Sequence, residues 1–324
     1  MQLAVEELPL KVPFRISGYT FTQIPALFVR LSGAGAEGCG EAEGVYYFDD
    51  VPVRMAAQVE SQRAAIEAGI TREELRQLMP AGGARNAVDC ALWDLEAKRA
   101  GQPVWKLAGL EHVVPLTTMF TLGADHPAAV AMGALSRANA TALKLKLSGE
   151  LDIDIERVRA VRAARPDVWL GVDANQGYTL DSLERLLPVL SEARVLLLEQ
   201  PLARGCEANL DHLDCPIPIA ADESVQSLAD VDGLLGRFDV VNIKLDKCGG
   251  LTEALLMIEH ARRIGLKVMV GNMVGTSIAM APAFVAGQLC DFVDLDGPTF
   301  LSADRSPGVV FKDGTVWCPP ELWG

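Results

Sequence analysis

The chain has few basic residues, no paired cysteines and no long apolar run, and each shortage removes a class of function. Its 324 residues include 29 Lys and Arg against 43 Asp and Glu, a formal net charge of −14. Phosphate binding needs clustered Lys and Arg, and no basic stripe interrupts the acidic excess, which argues against nucleic acid as a partner. The seven cysteines are odd in number and scattered, with no C-x-x-C pair. They predict free thiols in a reducing cytoplasm. No apolar run approaches the roughly 18 residues of a membrane span. The opening MQLAVEELPLKVPF lacks the basic head, apolar core and small-residue cleavage site of a secretion signal. The four histidines, His112, His126, His212 and His260, fall away from predicted strand ends and read as surface or structural residues.

What is present is an ordinary globular balance, long enough for a barrel plus a smaller domain. Residues 2–8 and 24–32 read as strands joined by a loop holding Arg15, Gly18 and Tyr19, and a second loop spans 40–50. Thr71 and Glu74 form a capping box that opens a helix through Leu78. A longer helix over about 84–100 is predicted to stop at Gly101. From about residue 115, short apolar runs alternate with amphipathic helices: 115–121, 142–147, 168–173, 195–199, 217–221, 239–244, 267–271 and 291–295. Eight such strands can close a parallel barrel. A hairpin with Asp313-Gly314 as its type I′ turn follows, in a tail expected to fold back on the first domain.

Charged residues end five of these apolar runs at near-equal intervals. Lys146, Asp173, Glu199, Asp222 and Lys244 are separated by 27, 26, 23 and 22 residues, each about one strand plus one crossover helix. That spacing puts three carboxylates and two amines on the C-terminal rim of one barrel. Three carboxylates a few ångströms apart repel unless a cation lies between them. An all-oxygen ligand set without His or Cys favours Mg²⁺ over zinc, and Asn175 is placed to add a carbonyl. Each acid taken alone is equally a helix cap or a solvated loop residue; three in register are not.

Lys144 and Lys146 share one strand face, and a buried ammonium needs partners, which the carboxylate cluster supplies. Lys244, on the sixth strand, lies across the barrel from the second. Neighbouring cations are expected to push a lysine pKa down and make it a base. The implied chemistry is removal of a proton next to a carboxylate, with one lysine taking it from one face and the other returning it to the opposite face. Asp294 and Asp296, two apart, form a carboxylate pair suited to an α-ammonium group, and Asp246 and Lys247 are candidate supporting residues.

These residues carry a resemblance. The run TREELRQLMPAGGARNAVDCALWDLEAKRAGQPVWKLAG at 71–109, with LKLK, VDAN, LEQP, ADES, NIKLDKCGGLTEAL and DLDGPTF, resembles the enolase superfamily in its muconate-lactonizing branch. It is most similar to dipeptide epimerases of the L-Ala-D/L-Glu epimerase type. The resemblance implies an α/β fold, a modified TIM barrel (β/α)₇β with an N-terminal α+β capping domain. The expected divisions are 1–112 for the cap, 113–298 for the barrel and 299–324 for the tail. It also implies Mg²⁺ on Asp173, Glu199 and Asp222, an acid/base pair in Lys146 and Lys244, and an ammonium grip in Asp294 and Asp296. The partner is then a dipeptide, with no nucleic acid and no membrane; a homo-oligomer is left open.

The chain departs from that pattern in its first loop. Relatives acting on Ala-Glu resemble one another in carrying an arginine where this chain has Gly18 or Tyr19, and Arg15 falls too early. The second loop sets Glu41, Glu43, Asp49 and Asp50 beside Tyr46, Tyr47 and Phe48, a lid suited to cationic or apolar side chains. Tyr19, Tyr47 and Asp49 are therefore the expected side-chain contacts. Two readings compete with epimerisation: a lyase or cycloisomerase using the same lysines and metal, and a barrel that binds without turnover.

Overall fold

A computed structural model describes residues 1–16, 19–211 and 213–324, with the side chains of Ile16 and Tyr19 excepted. Gly18, the Tyr19 side chain and His212 thus lie outside the described residues. The first sheet has three antiparallel strands, Gln2–Ile16, Tyr19–Gly33 and Ala36–Ala42, in sequence order. The expected loop between the first two strands is mostly strand: the ladder slips between Pro9 and Phe14 and then resumes, with Arg15 opposite Thr20. Pro9 and Pro13 cannot donate to a ladder, which hid the length of this hairpin in the sequence pattern.

Helix Arg72–Leu78 carries the Thr71–Glu74 capping box, and helix Gly83–Ala100 ends at Gly101 in the left-handed region. The long helix lies directly on the sheet through two glycines. A Cβ at Gly40 would stand 2.0 Å from the Ala87 carbonyl oxygen, and one at Gly38 would stand 2.1 Å from that of Ala91. Only residues without a side chain allow that approach.

Eight strands form one parallel sheet in sequence order: Met119–Leu122, Ala142–Lys146, Trp169–Asp173, Leu197–Glu199, Ile219–Ala221, Val240–Lys244, Lys267–Gly271 and Phe292–Val293. The first and last are tied by side chains: Leu295 N–H donates to Thr118 Oγ1 at 2.9 Å, and Thr121 N–H donates to Asp296 at 2.6 Å. The first barrel strand begins later than the apolar run at 115–121 suggests. Leu116–Thr117 pairs instead with Thr315–Trp317 of the C-terminal hairpin. That hairpin turns at Asp313 and Gly314, both left-handed as a type I′ turn requires. Beyond it, Trp323 Nε1 donates to the Cys39 carbonyl and Gly324 N–H to Asp94, both residues of the first sheet and its helix.

Side-chain alternation sorts each barrel strand into two layers. Ala142, Val240, Met269 and Ala220 join a small interior cluster with Met119 and Leu197. Leu143, Leu145, Val241 and Ile243 belong to the large cluster beneath the outer helices. Since the period is two, Lys144 and Lys146 must follow Ala142 inward, and Asn242 and Lys244 must follow Val240. No helix among the described residues is long and apolar enough to cross a membrane.

Candidate active site

Three consecutive strands deliver three acids to one point. Asp173 and Glu199 are the last residues of the third and fourth strands, Asp222 follows the fifth, and all three are buried. Each offers one carboxylate oxygen, and these lie within 4.8 Å of one another. Gln200 holds the rim in shape: its Oε1 accepts the Asp222 and Ser224 N–H groups while its Nε2 donates to Ser224 Oγ. Asn175, at φ 41°, turns its N–H back onto Asp173 at 2.9 Å. Three buried carboxylates with oxygen donors only fit a hard divalent cation such as Mg²⁺.

The lysines surround this triad. Lys146 Nζ donates to Asp173 at 2.5 Å, Lys244 Nζ to Asp222 at 2.7 Å, and Lys247 Nζ to the other Asp222 oxygen at 2.6 Å. Lys144 donates to Glu199 at 3.2 Å and to Asp294. Asn242 Nδ2 completes the set, donating to Glu199 at 2.8 Å. Strands two and six are separated by three strands in either direction around the barrel, so Lys146 and Lys244 stand opposite each other.

The charges shift one another in definite directions. Against the upward push of burial, Lys146 and Lys144 hold Asp173 below the usual carboxylate range, and Lys244 and Lys247 do the same for Asp222. Burial and the Asp173 charge push Glu199 up to about 6. Lys247 shifts downward, burial outweighing the Asp222 charge, but Lys144 and Lys244 do not follow the expected downward shift. Burial does favour neutral Lys144 and Lys244, but the surrounding carboxylates outweigh it and hold both above the ordinary lysine range. The acids that pair with Lys144 and Lys244 thus favour the ammonium form of both, and a cation taking up those carboxylate charges would weaken that preference.

Asp294 and Asp296 sit at the end of the eighth strand, both buried. Asp294 faces Lys144, leaving its Oδ1 unpartnered, and Asp296 accepts the Thr121 N–H. Burial and the Asp294 charge push Asp296 up to about 7. A cavity above the barrel mouth brings together Lys144, Lys146, Lys244, Asp222, Asn175, Asp294 and Asp296. Its cap side is Phe14, Phe21, Ile24, Glu43, Tyr46 and Tyr47, and Phe300 closes it from the tail.

Tyr47 therefore lines the cavity. Asp49 does not: it is exposed, at φ 60° after a short 3₁₀ turn, and pairs with Arg54. Asp246 is not on Lys244's strand face, because the strand ends at Lys244 and Leu245–Cys248 is a helical turn closed by Gly249 in the left-handed region. Asp246 instead accepts the Gly44 N–H at 2.9 Å, pinning the second cap loop to the barrel. Sequence reasoning missed Asn242, although it stands two residues before Lys244 and the strand period places it inward. Phe14, Phe21 and Phe300 gave no such signal, since only the tertiary fold gathers them. His126 caps helix Pro127–Ser136 and His260 pairs with Asp232, both away from the cavity.

Comparison with known proteins agrees with this geometry. Residues 127–321 match the enolase C-terminal domain-like family and residues 1–109 the mandelate racemase / muconate lactonizing enzyme N-terminal domain. The chain is 39% identical over 314 residues to the L-Ala-D/L-Glu epimerase of Escherichia coli (strain K12), covering 96% of this chain and 97% of that protein. A solved enolase family member from Agrobacterium tumefaciens with homology to dipeptide epimerases, holding sodium and L-Ala-L-Glu, superposes with a TM-score of 0.95. It is 40% identical, over 100% of this chain and 99% of that one. The dipeptide epimerase of Methylococcus capsulatus, complexed with Mg and L-Arg-D-Lys, gives a TM-score of 0.91 at 31% identity, covering 97% and 95%.

Proposed function

The chain belongs to the mandelate racemase / muconate lactonizing enzyme family of the enolase superfamily, and from that premise we propose that it is a Mg²⁺-dependent dipeptide epimerase. It inverts the α-carbon of the C-terminal residue of a dipeptide. Asp173, Glu199 and Asp222 would hold the ion, which supplies positive charge against the charge that develops when a carbon next to a carboxylate loses its proton. Asp294 and Asp296 take the α-ammonium group at the far side of the cavity. The dipeptide is thereby stretched across the barrel mouth, its second α-carbon between Lys146 and Lys244. One lysine, in its neutral form, removes the proton; the other, as an ammonium, delivers one to the opposite face. The change is a 1,1-proton transfer through an enediolate, and the enzyme is an isomerase.

The observation that carries this reading is the opposition of Lys146 and Lys244 across one carboxylate triad. A lyase needs one base and has no use for the Asp294–Asp296 pair. The relatives support the dipeptide class but differ in the side chains they hold, so the side chain must be read from this chain. Without an arginine in the described first-loop segment beyond Arg15, which pairs with Asp125, the cavity suits a basic or hydrophobic second residue better than glutamate. Incubation of a dipeptide library in D₂O, read by mass spectrometry, tests the reaction: uptake of one deuterium with inversion is expected. A library with no exchange on any member would overturn it.

A further inference from the structure

The cavity holds several buried side-chain oxygens without a partner. Glu43, Tyr47, Asn175, Asn272 and Asp294 all line it, and each places a side-chain oxygen out of solvent with no hydrogen-bond partner among the described residues. Asn272 is anchored by its Nδ2, which donates to the Met273 carbonyl at 2.8 Å, so its free atom is the acceptor. Carboxylate and amide oxygens can only accept, and leaving them buried and unpaired is costly. A ligand that brings N–H groups beyond those of one α-ammonium would find acceptors waiting for them.

Glu43 stands apart among the cavity's acids. Asp222 has Lys244 and Lys247, and Asp294 has Lys144. Glu43 has the Val274 N–H and lies beside Asp246, whose charge opposes its own. The cation that bears on it is Lys244, already spent on Asp222. Burial and the Asp246 charge push the Glu43 carboxyl well above its ordinary range, a condition that a bound cation would relieve. Around it Phe21 meets Tyr46 at 5.5 Å between centroids and Tyr46 meets Tyr47 at 5.1 Å, aromatic walls that accept a cation as readily as an alkyl chain.

We propose that the second residue of the dipeptide carries a cationic side chain of the lysine or arginine class, and that Glu43 is its receptor. This rests on the dipeptide reading above. An alkyl side chain would fill the aromatic walls but seal the Glu43 oxygen beneath them without a partner. A carboxylate would set like charge against Glu43 and Asp246.

The test compares L-Ala-L-Lys, L-Ala-L-norleucine and L-Ala-L-Glu by kcat/KM for deuterium uptake. Norleucine keeps the chain and lacks the ammonium. Wild type is expected to prefer lysine over norleucine by about tenfold or more, the factor that corresponds to about 1.4 kcal/mol, with glutamate last. Glu43→Gln should lower the lysine-to-norleucine ratio about tenfold, and Glu43→Asp should recover part of it. The ratio is taken within each protein, so a general loss of folded enzyme cancels, and the wild-type ratio stands without any variant. A wild type that prefers norleucine, or a ratio unmoved by Glu43→Gln, would overturn the inference while leaving the epimerase reading intact. No exchange on any of the three, or on other dipeptides, would remove both.

Discussion

Replacing Asp296 by Asn removes one of the two charges proposed to grip the substrate's α-ammonium while keeping an oxygen for the Thr121 N–H, which Asp296 accepts at 2.6 Å. The side chain is 2% exposed, so the lost interaction is a buried, charge-assisted hydrogen bond worth about 1.5–3 kcal/mol, or roughly 10- to 150-fold in kcat/KM. The size of the loss depends on pH. Burial and Asp294 raise the Asp296 carboxyl to about 7, so the free enzyme holds the full charge only above that value. As pH falls through about 7 the wild type protonates Asp296 and surrenders the same interaction, so the ratio of wild type to Asp296→Asn should be largest near pH 8.5. It should shrink by roughly tenfold at one unit below the pKa. The assay is deuterium uptake at sub-saturating dipeptide over a pH series, which reports kcat/KM. A ratio constant with pH, or a variant with lowered kcat at unchanged KM, would refute an ammonium-binding role.

Other outcomes follow from the same structure. Asp89 is buried and pushed up to about 6 by burial, despite the Thr252 N–H and hydroxyl it accepts. Its folded pKa lies above its unfolded one, so its contribution is full below the unfolded pKa and is lost as pH rises through about 6. The stability of wild type relative to Asp89→Asn should therefore fall by roughly 2 kcal/mol between pH 4 and pH 7; a pH-independent difference in urea titrations would contradict this. Gly40→Ala drives a Cβ to 2.0 Å from a backbone carbonyl that cannot move aside, and should lower Tm by at least several degrees, whereas Gly35→Ala, which meets no atom but sits at φ +79°, should cost only about 1 kcal/mol of backbone strain. Leu145→Ala empties a fully buried outward-facing position of the second barrel strand and should cost about 2–5 kcal/mol in chemical denaturation. Chelation by EDTA should abolish deuterium uptake, since the ion proposed on Asp173, Glu199 and Asp222 supplies the charge that stabilises the deprotonated substrate, and should lower Tm by the loss of the stability linked to its binding; unchanged activity would remove the metal.

The part of the site built on barrel strands was legible because it obeys local rules. Period-two alternation sends Lys144 and Lys146 inward with Ala142, and the interval between strand ends brings Asp173, Glu199 and Asp222 to one rim. The cap was less legible. Pro9 and Pro13 interrupt the ladder without ending the strand, so a long hairpin reads as two short strands and a loop. Leu116–Thr117 has the composition of a barrel strand but finds a partner near the chain's end, a competition that no local pattern reveals. Asp49 and Tyr47 are nearly adjacent in sequence, yet the left-handed turn at Asp49 sends one to solvent while the other lines the cavity. Glu43 was visible only as one acid among several, and what distinguishes it is that no base among the described residues forms an ion pair with it, a property of the folded cavity.

The claim on which the rest depends is that two amines work from opposite faces of one carbon. Lys146→Ala and Lys244→Ala, each supplied separately with the L,L and L,D forms of a turned-over dipeptide in D₂O, test it directly. Neither variant should invert its substrate, and each should exchange the α-proton of one form only, the two variants choosing opposite forms. Inversion by either variant, or exchange of the same form by both, would contradict the account.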